Sequence, residues 1–382
     1  MDFALNEEQE LLRETLREFV SREVSPEAGE LDRSSAFPSR AVQRLSEMGL
    51  LGMTIPEAYG GAGLDALSAA VAIEEIARGS ASLAVTVSVS NSVCAGPLAR
   101  HGSEEQRRRY LPRLAKGEIL GGFSLTEPDS GSDAAHLRTR ALKQGDFYLL
   151  TGDKAWVTNV QVGQLFLILA ATRPEEGARG ISAFLVESDF PGFSFGKVED
   201  KMGLRSSLTG GIQLQDCRVP VSNLLGEEGQ GFKIAMSALD GGRNGIAAQA
   251  VGIAVAAYEA ALGYARERKS FGVPIGKHQM VQWMLADMAT AIEAARLLIW
   301  QAAARKDAGL PFGAQSAMAK LFAAEAAMKI ATDAVQIHGG YGFIKEYQVE
   351  RHFRDAKITQ IYEGTSQIQK LVIARHLLSG KA

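Results

Sequence analysis

Residues 361–367 read Ile361-Tyr362-Glu363-Gly364-Thr365-Ser366-Gln367, and they hold the carboxylate best suited to chemistry. A carboxylate beside a glycine can reach close to backbone level in a site that excludes water, where it can remove a proton from carbon. An apolar pocket raises its pKa and makes it a better base. Ser366 with Gln369 has the capping-box pattern, which predicts a helix starting directly after the loop. Taken alone, these residues are more simply an ordinary loop glutamate before a capped helix.

Other clusters carry similar double readings. Phe123-Ser124-Leu125-Thr126-Glu127-Pro128 runs into Ser130-Gly131-Ser132-Asp133, whose small hydroxyls and backbone N–H groups suit a phosphate or a polar ring edge. The same stretch also fits a plain turn. Trp156-Val157-Thr158-Asn159 closes a predicted strand, with the indole placed to lie against a planar ring and Thr158 on the same face. Core packing of the Trp is the alternative. Leu239-Asp240-Gly241-Gly242-Arg243 reads as the opening of a long helix, its Asp and Arg either meeting a polar ligand or serving as cap and solvated cation. Arg266-Glu267-Arg268-Lys269-Ser270-Phe271-Gly272, followed by His278-Gln279, can hold a pyrophosphate or simply complement a helix dipole. In Gln336-Ile337-His338-Gly339-Gly340-Tyr341-Gly342-Phe343, three glycines allow a ligand close to the backbone, or cap a helix. His338 has no second His or Cys at metal spacing, so no metal site is expected.

The elements that must position these residues fall into three textures. Residues 1–120 are helical, starting with the capping box Asn6/Gln9 and the spacing of Leu11, Leu12, Leu16 and Phe19. Further helices are predicted over 40–48 and 67–77, and Pro112 is expected to interrupt the helix that passes Arg107. Residues 121–225 hold short apolar or alternating runs at 165–171, 181–186 and 212–214, which predict a small antiparallel sandwich or barrel. Residues 226–382 return to Ala-rich helices, predicted over 246–268, 279–308, 313–337 and 366–378, an antiparallel four-helix bundle. The fold class is thus a multidomain α+β chain: helices, then a β domain, then a bundle.

Bulk properties exclude several functions. The formal net charge of −3 over 382 residues gives no electrostatic ground for nucleic acid or an anionic membrane. Cys94 and Cys217 lie far apart, which suits neither a zinc site nor a disulfide framework. No apolar run is seen to approach the ~20 residues of a membrane span. The acidic start, with Glu7, Glu8 and Glu10, is unlike a signal or transit peptide, so a cytoplasmic protein, or a processed mitochondrial matrix protein, is expected. The dinucleotide fingerprint G-x-G-x-x-G, the Walker A motif and H-E-x-x-H are all missing from the sequence.

In this order, the clusters resemble the acyl-CoA dehydrogenase family over essentially the whole chain. The matching stretches are Thr126-Glu127-Pro128 with Gly131-Ser132-Asp133, Trp156 to Asn159, Arg268 with Phe271, Gln336 to Gly340, and Ile361 to Thr365. The resemblance implies FAD bound between the β domain and the bundle. It assigns Phe123, Leu125, Thr126, Ser132, Trp156 and Thr158 to the cofactor from one subunit. Arg268, Phe271, Gln279, Gln336, Gly339 and Gly340 would reach it from a neighbouring subunit, with Thr365 and Gln367 completing the site. A homo-oligomer is implied, at least a dimer and commonly a tetramer. Ser132, Asp240, Arg243 and Gly364 would touch the acyl-CoA.

Glu363 would then remove the α-proton while a β-hydride passes to the flavin. The Glu363 backbone N–H and a ribityl hydroxyl would hold the thioester carbonyl, and an electron-transferring flavoprotein would take the electrons. In isovaleryl- and long-chain-type members the base sits instead near Asp240 to Arg243, where the matching residue here is Gly242. Glutaryl-type members carry an arginine in a segment like 81–92, where this chain has Leu83 and no cation. A short- or branched-short-chain substrate is therefore expected, since a distal carboxylate would be buried unpaired. An acyl-CoA oxidase, an enoyl-CoA reductase and a non-catalytic flavin-binding protein are the alternatives on the same fold.

Overall fold

The computed structural model describes residues 4–379. The chain opens with helices α1 (Glu7–Phe19), α2 (Ser25–Ser34), α3 (Ser39–Glu47), α4 (Ala66–Gly79), α5 (Ala81–Val89), α6 (Gly96–His101) and α7 (Glu104–Ala115). The expected capping box forms at α1, where Asn6 Oδ1 accepts from Gln9 N–H at 2.8 Å and Gln9 Oε1 from Asn6 N–H at 3.1 Å. Pro112 does not end its helix: it lies inside α7, which runs on to Ala115. Proline forfeits one ladder hydrogen bond without dictating a stop.

Strands β1 (Gly121–Ser124), β2 (Arg140–Gln144), β3 (Phe147–Thr158), β4 (Leu165–Ala171), β5 (Ile181–Glu187), β6 (Phe193–Val198), β7 (Thr209–Pro220) and β8 (Leu224–Leu225) follow. They pair in the order β6-β7-β3-β2-β4-β5-β8, with β1 parallel to β4. The β2–β4 link is the single pair Arg140↔Ala171, also parallel, so two halves fold over one another at that hinge. Tyr148, Leu150, Ile212 and Val219 from one half pack with Phe166, Ile168, Phe184 and Val186 from the other. The arrangement is sandwich-like and antiparallel except at those two pairings.

The bundle is α8 (Gly231–Glu267), α9 (Gln279–Asp307), α10 (Gly313–His338) and α12 (Ser366–Leu378), with a shorter α11 (Val349–Thr359) before α12. Two corrections to the sequence reading arise here. α8 begins at Gly231, well before 246, so Asp240 is interior to the helix and does not open it. α11 has no counterpart among the predicted helices: it buries Arg351, His352 and Asp355, residue types that read as a solvent face. Arg354 of α11 clamps three regions, donating to Asp32 Oδ2 at 2.7 Å, Glu350 Oε1 at 2.9 Å and the Met202 carbonyl at 3.0 Å. α8 and α10 run in the same direction, since Asp240 meets Ser316 near one end and Tyr264 stacks on His338 near the other.

One apolar core joins α4 and α5 to α8, α9 and α10. Two stretches, Ala81–His101 and Gly231–Glu267, are long and apolar enough to cross a membrane by length and composition, which the sequence reading did not foresee. Both are mostly buried against the rest of the protein, as core helices are.

Candidate active site

The loop between α11 and α12 bends sharply at two adjacent residues, Glu363 at φ +50° and Gly364 at φ +91°. A left-handed glutamate is costly, by about 1–3 kcal/mol, and persists only where its surroundings fix it. Gln369 Nε2 donates to the Gly364 carbonyl at 2.7 Å and to the Glu363 carbonyl at 3.3 Å. Thr365, not Ser366, caps α12: its hydroxyl accepts from Ile368 N–H at 3.2 Å. Ser366 sits one residue inside and donates to Glu325 Oε1 at 2.6 Å. Gln369 is thus spent on the loop carbonyls and not on a capping box. Tyr362 donates its hydroxyl to Gln249 Oε1 on α8, and Gln249 Nε2 donates to the Ala81 carbonyl of α5 at 2.7 Å.

This bend lays the Glu363 carboxylate over α8 at Gly242. A Cβ on Gly242 would overlap Oε2 and lie 3.0 Å from Cδ, so the glycine makes the room that the carboxylate fills. Oε2 is buried and has no hydrogen-bond partner. Burial pushes the Glu363 pKa up to about 7, with Lys320 and Arg243 pulling the other way. Arg243 is buried and donates to Asp240 Oδ1 at 2.6 Å, one helical turn back on the same face. Burial also raises the Asp240 pKa, opposed by Arg243. On the far side α5 and the π-helical turn Ser90–Ala95 come close: Val93 Cγ1 would lie 3.0 Å from a Cβ on Gly242, and Ser88 Oγ 2.6 Å from one on Gly245.

The β-domain cluster is tied to the same α5. Asn159 Nδ2 donates to the Thr86 carbonyl at 3.2 Å and to the Gly121 carbonyl at 2.9 Å, and Gly121 N–H donates to Ser90 Oγ at 3.1 Å. Trp156 does not enter the core: it has φ +59° and is 64% exposed. A register shift between Lys154 and Val157 in the β3–β7 pairing turns it outward, with Thr158 on the same side. Beneath it Lys154 and Glu127 form a buried pair at 2.8 Å. Glu127 also accepts from the backbone N–H groups of Arg138 and Thr139, which closes the loop carrying Ser132. Lys154 Nζ reaches the Leu125 carbonyl at 3.3 Å, and Thr126 accepts from Ala155 N–H at 3.0 Å. Phe123 and Thr126 are partly exposed and Ser132 is exposed, while the buried Ser124 hydroxyl has no partner.

The third group lies elsewhere. Arg268 ends α8, about 40 Å from Gly242 at ~1.5 Å of rise per residue. A hairpin of β9 (Lys269–Ser270) and β10 (Val273–Pro274) carries Phe271 and Gly272 at its tip, both left-handed, and Phe271 is 94% exposed. Gln279 opens α9, exposed. Arg268, Tyr264, Gly339, Gly340 and Tyr341 line an open cavity of ≈ 550 Å³, with Gln336 exposed nearby on α10. Gly339 has φ +61°, and neither it nor Gly340 has anything within 4 Å of a would-be Cβ. His338 stacks on Tyr264 at 4.3 Å and shares Nδ1 with the Ala334 carbonyl at 2.8 Å, which occupies it structurally. Among the described residues no His, Cys, Asp or Glu cluster suits a metal.

Of the residues singled out from sequence, Glu363, Gly364, Thr365, Asp240 and Arg243 therefore gather at one end of the α8–α10 pair. The cavity group gathers at the other, and Gln367 is exposed on the first turn of α12. Sequence reasoning missed Lys320, whose signal was available: it shares a helical face with the buried Ala317, Ala324 and Ala327.

Comparison with known proteins agrees with this layout. The acyl-CoA dehydrogenase N-terminal domain matches residues 6–118, the middle domain 122–217 and the C-terminal domain 229–378. The chain is 50% identical over 374 residues to the short-chain specific acyl-CoA dehydrogenase of Clostridium acetobutylicum, covering 98% of this chain and 99% of that one. The structure of butyryl-CoA dehydrogenase from Megasphaera elsdenii is similar with a TM-score of 0.97 at 44% identity, covering 99% of this chain and 100% of that one. A solved structure described as "Electron transferring flavoprotein of Acidaminococcus fermentans: Towards a mechanism of flavin-based electron bifurcation" is similar with a TM-score of 0.98 at 47% identity, over 99% of this chain and 100% of that one. With all three domains matched and the fold shared end to end, the chain belongs to the acyl-CoA dehydrogenase family.

Proposed function

We propose that the protein is an FAD-dependent dehydrogenase that converts a short- or branched-short-chain acyl-CoA to its trans-2-enoyl-CoA, with Glu363 as base. The observation that carries this reading is the free carboxylate oxygen of Glu363, buried over Gly242 with its pKa pushed up to about 7. A carboxylate with no partner and a pKa near neutrality is poised to take a proton. Glu363 removes it from the α-carbon, and the electron pair of that C–H bond becomes the second bond of Cα=Cβ. FAD, when bound, supplies the acceptor for the β-hydride.

The residues present fit that cofactor. An outward-facing Trp156 ring offers a flat apolar wall, Thr126 and Thr158 supply hydroxyls beside it, and Ser124 Oγ is an orphaned polar atom under the same strand end. Arg268 and the glycines Gly339 and Gly340 suit a pyrophosphate and its attached nucleoside. Those residues stand at the far end of α8, so a second copy of the chain brings them to the flavin site. The apolar rings left bare there, Phe271 at 94% and Phe343 at 87% exposure, suit such an interface. This is the basis for expecting a homo-oligomer, with a tetramer as the arrangement we favour.

Asp240 and Arg243, with Ser132 on its exposed loop, line the route by which acyl-CoA approaches Glu363. The close approach of Ser88 and Val93 to α8 leaves little depth for a long acyl tail. Leu83 is wholly buried on α5, and a dicarboxylyl tail would find no cation there. Reduced flavin is reoxidised by an electron-transferring flavoprotein. Anaerobic addition of butyryl-, isobutyryl-, isovaleryl-, octanoyl-, palmitoyl- and glutaryl-CoA to the purified flavoprotein tests the reading. Short chains should bleach the flavin, and Glu363→Gln should abolish the bleaching; no bleaching with any thioester would refute the assignment.

A further inference from the structure

Lys320 has no solvent-exposed surface, although burying an ammonium is costly. Its Nζ donates at 2.7 Å to the carbonyl of Gly364, the residue directly after the base. Glu363 and Glu325 favour its charge and Arg243 opposes it, yet none of the ion pairs among the described residues joins it to a carboxylate. The Gly364 carbonyl thus receives two donors, from Lys320 on α10 and from Gln369 on α12.

We propose that Lys320 is the positioning residue of this site: it clamps the left-handed Glu363–Gly364 turn through the Gly364 carbonyl and holds a positive charge near the carboxylate without pairing with it. A direct ion pair would occupy the oxygen that must receive the proton, whereas a bond to the neighbouring carbonyl leaves Oε2 free. The charged and titratable groups around the carboxylate are Lys320 on α10, Arg243 and Asp240 on α8, and Tyr362 beside it; α5 and the turn after it present Ser88 and Val93. Lys320 leads the charges that hold the Glu363 pKa down against burial, and burial lowers its own pKa only to about 8, so it stays charged at neutral pH.

The inference rests on Glu363 as base, and Lys320→Met and Lys320→Gln test it in the holoenzyme. In Lys320→Met the acid limb of kcat/KM should move up by about one pH unit, as removal of an opposite charge requires. Its kcat at neutral pH should fall roughly 10- to 100-fold with KM little changed. Lys320→Gln restores a donor to the Gly364 carbonyl, so it should recover kcat above the limb while keeping the upward shift. Amide hydrogen exchange over residues 361–366 of the resting enzyme should quicken in Lys320→Met and not in Lys320→Gln. An unmoved acid limb in both variants, or unchanged exchange in Lys320→Met, would overturn the proposal. If Lys320→Met loses flavin or melts early, the limb of Lys320→Gln alone decides. Turnover surviving in Glu363→Gln would instead refute the base, and the exchange result would stand apart from it.

Discussion

The two ends of the α8–α10 pair are built on opposite terms. At the Glu363 end the groups are buried or half-buried and mostly held: the Gly364 carbonyl by two donors, Tyr362 by Gln249, Arg243 by Asp240. The carboxylate oxygen of the base itself stays unheld, as do Arg243 Nε and Gln369 Oε1 beside it. At the Arg268 end the cavity is open, its glycines have free space above them, and Phe271 and Phe343 face outward. A site held firmly around a free base suits chemistry. A site open and edged with bare aromatic rings suits completion by something else, which the proposed function takes to be a cofactor and a second copy.

The sharpest way to break that contrast is at the base. Glu363→Gln is expected to lower turnover by about 10³–10⁴-fold, read as the rate of anaerobic flavin bleaching. A loss under tenfold would mean the buried end is not the catalytic one. The same substitution sharpens the contrast in stability. The Glu363 pKa is raised from 4.5 to about 7, so its folded form binds more protons than the unfolded chain between those values. The stabilisation is complete below pH 4.5 and lost as pH rises through about 7. Glu363→Gln should therefore be more stable than wild type by roughly 3 kcal/mol at pH 8, with the gap closing toward pH 5. Chemical denaturation at the two pH values measures it, and a variant that is inactive yet less stable at pH 8 would contradict the picture.

Gly242→Ala puts a methyl into the space of Oε2, so kcat should fall about 100-fold through a displacement near 1 Å. Stopped-flow bleaching reads the loss, while thermal melting should show the helix little weakened, since alanine favours a helix. At the open end the effect is smaller: Arg268→Ala should weaken flavin retention by roughly tenfold, as removal of one charge-assisted bond does. Its protomer stability should stay within about 0.5 kcal/mol of wild type, because Arg268 is exposed. Equilibrium dialysis of FAD and urea denaturation separate the two.

Much of this arrangement was legible in the residues. α9, α10 and α12 lie within a residue of their sequence-derived limits because helical stretches with clear start and stop signals leave few alternatives. The start of α8 was hidden by Gly241, Gly242 and Gly245, which look like helix breakers. Gly242 and Gly245 are accommodated because Glu363 and Val93 come close against the first and Ser88 against the second, a long-range fact. α11 was hidden for the opposite reason: charges that read as solvated are buried in ion pairs and backbone bonds to other domains. Trp156 was open to either reading, and a β-bulge decided it. The cap at Thr365 in place of Ser366 follows from Glu325 claiming the Ser366 hydroxyl, which no local pattern reveals.

Subunit mixing tests most directly whether the two ends make one site across copies. Glu363→Gln and Arg268→Ala chains carrying different tags are co-expressed, mixed oligomers are isolated through both tags, and bleaching is read at an FAD concentration low enough that the Arg268→Ala parent holds little flavin. If each site takes Glu363 from one copy and Arg268 from the other, mixed dimers contain one intact site, and bleaching returns to about half the wild-type amplitude per flavin site. If both residues serve the same copy's site, every site in the mixture is defective and activity stays at the level of the parent variants. The first result is the one expected here, and the second would contradict it.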